Sequence, residues 1–355
     1  MRNILLMDNN ILCSSQLDQI VKDLNALGFV KNCKNYVKPN EIDIAIKKLE
    51  RRINYGNSLI QPIREIRSDI LSLNENVISS EFLAEYREIK NTVDTIESKN
   101  FYSFLKKNEN VLTELFKRYK RRTPLQRFVD FNQGIDARLI SDDNMKILSG
   151  LPLKPFRLAY DHYALRDVYE KAFRTAYNNG VRYFSNYMLY NYNETPEELW
   201  MRMEHNIRLN KELPDVHLFS FPMKYAPIDR IDRNYIGKYW SKKQLSAMNV
   251  ILNVTKGVVM GEEDFFYRAF GNSPKDFLRI LAMPSEFIKF RSFFEKNGKI
   301  KDWGNEYDML NEEQRRRLLE YLSDINIAKC DNVEADIASI IRYYHISKKS
   351  CEIQE

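Results

Sequence analysis

Between Gln133 and Arg138 the chain reads Gln-Gly-Ile-Asp-Ala-Arg, placing an amide, a carboxylate and a guanidinium within six residues. Gly134 permits a kink or bulge just past a strand, which re-aims Gln133 and Asp136. Asp136 and Arg138 are two apart, so in extended backbone they share a face and either form a buried ion pair or grip a polar ligand. Similar polar residues close other apolar runs: Asp8-Asn9-Asn10, Asn132, Asp161-His162, Tyr190-Asn191 with Asn193, and Lys224-Tyr225. Any one of them can be an ordinary loop residue. As a group they offer donors, acceptors and two cations, a set suited to a ligand with amine, carboxylate and ribose groups. Of the four histidines, His162 alone falls at such an exit and is positioned as an acid or base. His205 falls within a helix and is expected at the surface, and His217 stands early in a strand.

The elements that must position these residues are short apolar runs alternating with helical patterns. The runs are 4–7, 127–134, 155–162, 183–191 and 216–224, each followed by apolar residues at helical spacing. Such alternation predicts right-handed crossovers, a parallel sheet and a ligand site at the carboxyl ends of the strands. Helix starts are marked by Ser14 or Ser15, by Ser141, by Thr195-Pro-Glu-Glu198, by Ser241-Lys-Lys-Gln244 and by Ser273-Pro274. From 34 to 126 the strand signal disappears and Ile42, Ile46, Leu49, Ile63, Ile66, Tyr86 and Ile89 recur at helical spacing among charges. The expected organisation is a first strand–helix unit at 1–33, a helical insertion at 34–126, the remaining β/α repeats at 127–240 and a helical C-terminal extension at 241–355.

Composition narrows the function classes. The 355 residues carry a net charge of +6, a mild basic excess. No apolar stretch is long enough to span a bilayer, and the first residues are too polar for a secretory signal, so a cytoplasmic protein is expected. Cys13, Cys33, Cys330 and Cys351 are dispersed with no Cys-x-x-Cys, and no zinc or iron–sulfur site can be read from their spacing. There is no Walker loop, no Gly-x-Gly-x-x-Gly and no Gly-x-Ser-x-Gly. The basic run 117–122, with Tyr119 inside it, is either a phosphate-contacting patch or the solvated C-terminal end of a helix.

The order of these motifs resembles the radical S-adenosylmethionine enzymes, over residues 3–27 and 127–227. The resemblance implies a partial (β/α) barrel binding S-adenosylmethionine and a four-iron, four-sulfur cluster at its strand ends. It implies Asp8, Asn9 and Asn10 at the turn that holds the amino group, Asp161 at the ribose, and Tyr190 and Asn191 on the strand and loop near the adenine. Gln133, Asp136, Arg138, His162 and Lys224 would then face the substrate. The family's Cys-x-x-x-Cys-x-x-Cys is absent, and the chain starts at what would be the second strand. A separate polypeptide, encoded just upstream, is therefore expected to carry the three cysteines and the cluster. The alternative is a non-catalytic remnant of that fold, binding nucleic acid or protein through the basic run and the helical blocks.

Overall fold

The computed structural model describes residues 2–7, 10–37, 41–120, 123–229, 234–323 and 337–352. It is a mixed α/β structure with short parallel strands and many helices. Along the chain come β1 (Asn3–Leu6), α1 (Leu17–Ala26), β2 (Lys34–Tyr36), α2 (Glu41–Asn54), α3 (Ile60–Leu71), α4 (Ser80–Thr95), α5 (Phe101–Lys107), α6 (Glu109–Tyr119), β3 (Leu125–Gln126) and β4 (Phe128–Phe131). Then follow α7 (Asp142–Leu148), β5 (Phe156–Arg157), α8 (Arg166–Asn178), β6 (Tyr183–Tyr190), α9 (Pro196–Glu212) and β7 (His217–Lys224). The helical C-terminal part holds α10 (Lys242–Val254), α11 (Glu263–Phe270), α12 (Pro274–Ala282), α13 (Ser285–Lys289), α14 (Arg291–Lys296), α15 (Lys299–Met309), α16 (Glu312–Tyr321), α17 (Ala338–Ile341) and α18 (Lys348–Glu352). No helix among the described residues is long and apolar enough to cross a membrane.

The chain divides into two compact units, one of Met1–Arg2 with Val30–Arg127 and the other of Asn3–Phe29 with Phe128–Glu355. The first is a helical cluster whose core is Ile42, Ile46, Leu49, Ile63, Ile66, Tyr86, Phe101 and Phe116. Its ends carry a feature that the sequence pattern missed, the antiparallel pair β2–β3. Strands of three and two residues are too short to show a period, so a purely helical block was expected there.

In the second unit β1 pairs in parallel with β4, and β5, β6 and β7 pair in parallel in that order. Backbone bonds bring β4 and β5 together: Val129 N–H donates to Pro152 O, Lys154 N–H to Val129 O, and Ile135 N–H to Arg157 O. The strand neighbours thus follow chain order. Alternation along β6 sends Phe184, Asn186, Met188 and Tyr190 to a buried face, where Phe184 packs on Phe173 of α8 at 4.1 Å. The opposite face carries a polar bridge across three strands, in which Arg157 forks onto Asp130 at 2.8 Å and reaches Ser185 Oγ at 3.2 Å. The C-terminal helices share one hydrophobic core with the sheet.

Capping explains several helix starts. Thr195 with Glu198, Ser241 with Gln244 and Ser141 with Asn144 each form a reciprocal capping box. The start of α1 differs: its N-cap is Gln16, with no side-chain cap, while Ser14 Oγ accepts from Gln16 N–H. The end of α12 is closed from outside. Lys243 of α10 is buried and donates to Leu281 O at 3.1 Å and Met283 O at 2.7 Å, carbonyls that the helix cannot satisfy itself.

Burial pulls the Lys243 ammonium down to about 7. Between pH 7 and the ordinary lysine value near 10.5 the unfolded chain holds a proton that the folded chain has released, so stability rises with pH there. Thermal midpoints of wild type and Lys243→Met compared at intervals from pH 7 to 10 are expected to diverge in favour of wild type. The rise is at most about 1.4 kcal/mol per pH unit, and parallel curves contradict the assignment.

Candidate functional site

The carboxyl ends of the strands bring the sequence-predicted residues into two neighbouring cavities. The first, about 280 Å³, is lined by Asn10, Gln133, Asp136, Arg138 and Asp161, with Gly134 and Ala137 in its wall. The second, about 160 Å³, is lined by Asp161, His162, Leu189, Tyr192, Asn193 and Glu194. Asp161, at the exit of β5, belongs to both.

Local geometry fixes the first cavity. Gly134 has φ +85°, a left-handed conformation that reverses the chain just after β4 and that a Cβ disfavours. Beyond it Asp136 caps a turn at 137–139, its Oδ1 accepting from Arg138 N–H at 2.9 Å. Arg138 also forks onto the same carboxylate, Nε to Oδ1 at 2.9 Å and Nη2 to Oδ2 at 2.6 Å. The Arg138 hydrogen bonds hold the Asp136 carboxyl below its ordinary range, against some desolvation. Asp136 and Arg138 therefore pair, but across a turn rather than in extended backbone, and at the surface rather than buried as the spacing suggested. Asn10 caps the turn after β1, accepting from Leu12 N–H at 3.3 Å. Asp8 and Asn9 lie outside the described residues.

Beside the second cavity stands an aromatic rim. Tyr192 lies 4.4 Å from Tyr225, which meets Tyr235 edge-on at 5.7 Å, and His162 is 6.2 Å from Tyr192. His162 Nδ1 is 3.9 Å from Glu194 Oε1. Lys224 ends β7, and the next amide, Tyr225 N–H, donates to Tyr190 O.

Two residues expected at the adenine serve the scaffold. Tyr190 is buried against Trp240 at 5.3 Å, and burial pushes its phenol up to about 12. Asn191 is fully buried with φ +68°. Its amide nitrogen donates to Tyr225 O and Tyr235 O, and its oxygen accepts from Gly237 N–H at 2.7 Å. Gly237 is needed there, because a Cβ would stand 2.7 Å from Asn191 O. Asn191 thus latches the loop after β7 onto the exit of β6.

Sequence reasoning missed the group beneath the mouth. Arg202 of α9 is fully buried and donates to Tyr160 O at 2.5 Å, three residues past β5, and to Leu189 O at 2.6 Å, the penultimate residue of β6. Its Nη2 also lies 2.6 Å from Glu194 Oε2. Burial raises the Glu194 carboxyl, opposed by Arg202 and by the Tyr163 N–H that Oε1 accepts. Nearby, His205 is buried rather than at the surface. Its Nδ1 is 3.1 Å from Tyr160 Oη and its Nε2 is 2.9 Å from Glu170 Oε2. Desolvation lowers the His205 pKa, opposed by Glu170.

The basic run belongs to the first unit, at the end of α6, among acidic neighbours. Arg118 meets Glu114 at 3.3 Å and Glu81 at 3.7 Å, Lys117 lies 3.6 Å from Glu114, and Lys120 pairs with Glu41 and Asp69. Tyr119 donates to Ser79 Oγ at 2.8 Å. Arg121 and Arg122 lie outside the described residues. Among the described residues no group of three or more His, Cys, Asp or Glu side chains is placed to hold a metal ion.

Truncating Arg202 removes the buried guanidinium that matches the Glu194 carboxylate, so Arg202→Met is expected to cost about 3–5 kcal/mol. Arg202→Met with Glu194→Leu is expected to cost at least ~1 kcal/mol less than the sum of the single changes. All three tryptophans, Trp200, Trp240 and Trp303, lie in the second unit, so urea unfolding followed by their fluorescence reads that unit. Strict additivity contradicts the coupling.

No protein-family model, curated protein or solved structure matches this chain.

Proposed function

We propose that the second unit is a partial (β/α) barrel of the radical S-adenosylmethionine type that binds S-adenosylmethionine or a close relative at its strand ends. The supporting observation is the pair of cavities sharing Asp161, with Asn10, Gln133, Asp136 and Arg138 on one side and Tyr192 on the other. The chemistry of the two compartments suits a ligand with unlike ends. Carboxylates at Asp161 and Asp136 complement a sulfonium and an ammonium, and the Arg138 guanidinium complements a carboxylate. The Tyr192–Tyr225 rim offers ring faces to a purine, a contact to which any base can contribute. Five parallel strands with neighbours in chain order also agree with a barrel wall.

The described cysteines of this chain do not fit an iron–sulfur cluster. Cys13 follows β1, Cys33 belongs to the other unit and Cys351 lies in α18, while Cys330 lies outside the described residues. We therefore assign this chain ligand binding and no redox step. In this reading the radical chemistry, with its cluster, resides in a partner that also contacts β1, which among the described strands pairs with β4 alone.

Calorimetric titration of the full chain with S-adenosylmethionine tests the reading. Saturable binding with a dissociation constant below about 1 mM is expected, weakened at least about tenfold by Asp161→Asn. An absence of saturable heat at millimolar ligand, or an Asp161→Asn variant that binds as wild type does, contradicts it.

A further inference from the structure

The C-terminal helices enclose another cavity, which the strand-end reading does not use. It measures about 430 Å³ and lies among α10, α11, α12, α13 and α14, with α18 at its edge. That volume is in the range of pockets that take small organic ligands. Its floor is aliphatic, formed by the buried Ile251, Ile280, Met283 and Ile288, with Phe290 and Phe293 in the wall. Water gains little in such a space, because it finds few polar partners there. Ala269 of α11 also faces the cavity, and a larger side chain at that position would occupy it.

The rim has one sign of charge. Arg268, Lys289, Arg291 and Lys348 line the cavity, and among the described residues no carboxylate does. Arg268 and Arg291 share a single acid, Glu295, at 2.8 and 3.1 Å, and Arg291 also donates to Arg268 O. Two guanidinium groups on one carboxylate leave a positive excess at the entrance. The Lys289 ammonium stands 4.9 Å from the Phe290 ring, and the Lys348 ammonium lies over Phe290 at 5.3 Å and Phe293 at 5.5 Å. The cations therefore sit where the apolar wall meets solvent. An entering ligand meets positive charge at the mouth and hydrocarbon below it.

We propose that this cavity is a binding site for a single-tailed amphipathic anion, in its simplest form a medium-chain fatty carboxylate. The tail lies among Ile251, Ile280, Met283 and Ile288, and the head group is held by Arg268 and Lys289 at the rim. The site is independent of the strand-end ligand.

Calorimetry on the full chain with laurate and dodecylammonium below their critical micelle concentrations, and with dodecanol below its solubility limit, tests this. Saturable one-site binding of laurate is expected, at least tenfold tighter than either of the others. Shortening the tail from twelve to eight carbons is expected to weaken binding about fourfold per methylene. Ala269→Phe fills the cavity and is expected to lose laurate at least tenfold. Lys289→Glu, an exposed change that keeps the test decisive should Ala269→Phe fail to fold, is expected to weaken laurate and leave dodecanol unchanged. The proposal is overturned by absent laurate binding, by equal affinity for the three head groups, or by a folded Ala269→Phe variant that binds as wild type does. It is also overturned if the chain sediments with phosphatidylglycerol vesicles while binding no monomeric laurate, because the cations would then serve a membrane surface.

Discussion

The strand-end mouth depends on one buried guanidinium. Arg202 carries a full charge where no water reaches it, a placement that costs several kcal/mol unless the charge is matched. The match comes from Tyr160 O, Leu189 O and the Glu194 carboxylate. One side chain of α9 therefore ties together the ends of two neighbouring strand segments and the loop that follows the second. Glu194 extends the tie: its Oε1 accepts from Tyr163 N–H, and its backbone carbonyl accepts from the indole of Trp240. With Asn191 latching the loop after β7, the walls around Asp161 and His162 are set from beneath by hydrogen bonds that no ligand supplies.

The same device recurs in the helical part. Lys243 satisfies Leu281 O and Met283 O at the end of α12 as Arg202 satisfies the ends of strand segments. Elements end with carbonyls that lack an internal donor, and when such an end is buried a side-chain cation can supply it. In both places the cation comes from the helix packed against that end. The second case leaves its mark in protonation, since Lys243 has carbonyl acceptors and no carboxylate among its hydrogen-bond partners, and burial draws its pKa towards neutrality.

Much of the scaffold and part of the site were legible in the residues themselves. Apolar runs with polar exits identify β6 and β7 closely, and the Thr195, Ser241 and Ser141 signals mark real helix starts because capping is a local bond. The strand-end rule selects Asn10, Gln133, Asp136, Arg138 and Asp161, which share a cavity. Arg202, His205 and Asn206 were hidden because hydropathy assigns charged and polar helical residues to solvent, whereas here they interleave with Leu199, Met203 and Ile207 on a buried face. The role of Asn191 was unreadable because its partners, Tyr225, Tyr235 and Gly237, are set by tertiary folding. Of the two readings of the basic run, the helix end fits 117–119, which close α6, and the ion pairs of this run were unreadable because Glu41, Asp69 and Glu81 lie on other helices of its unit.

The dependence of the mouth on Arg202 is most directly tested by amide hydrogen exchange, compared between wild type and Arg202→Lys. A lysine keeps the charge but lacks the fork that reaches two carbonyls and a carboxylate together. Faster exchange is expected in the segments 158–163 and 189–194, with protection in α12 and across the first unit unchanged. Equal protection of those two segments in both proteins, or a loss of protection spread evenly over the second unit, contradicts a local role for Arg202 in holding the strand ends.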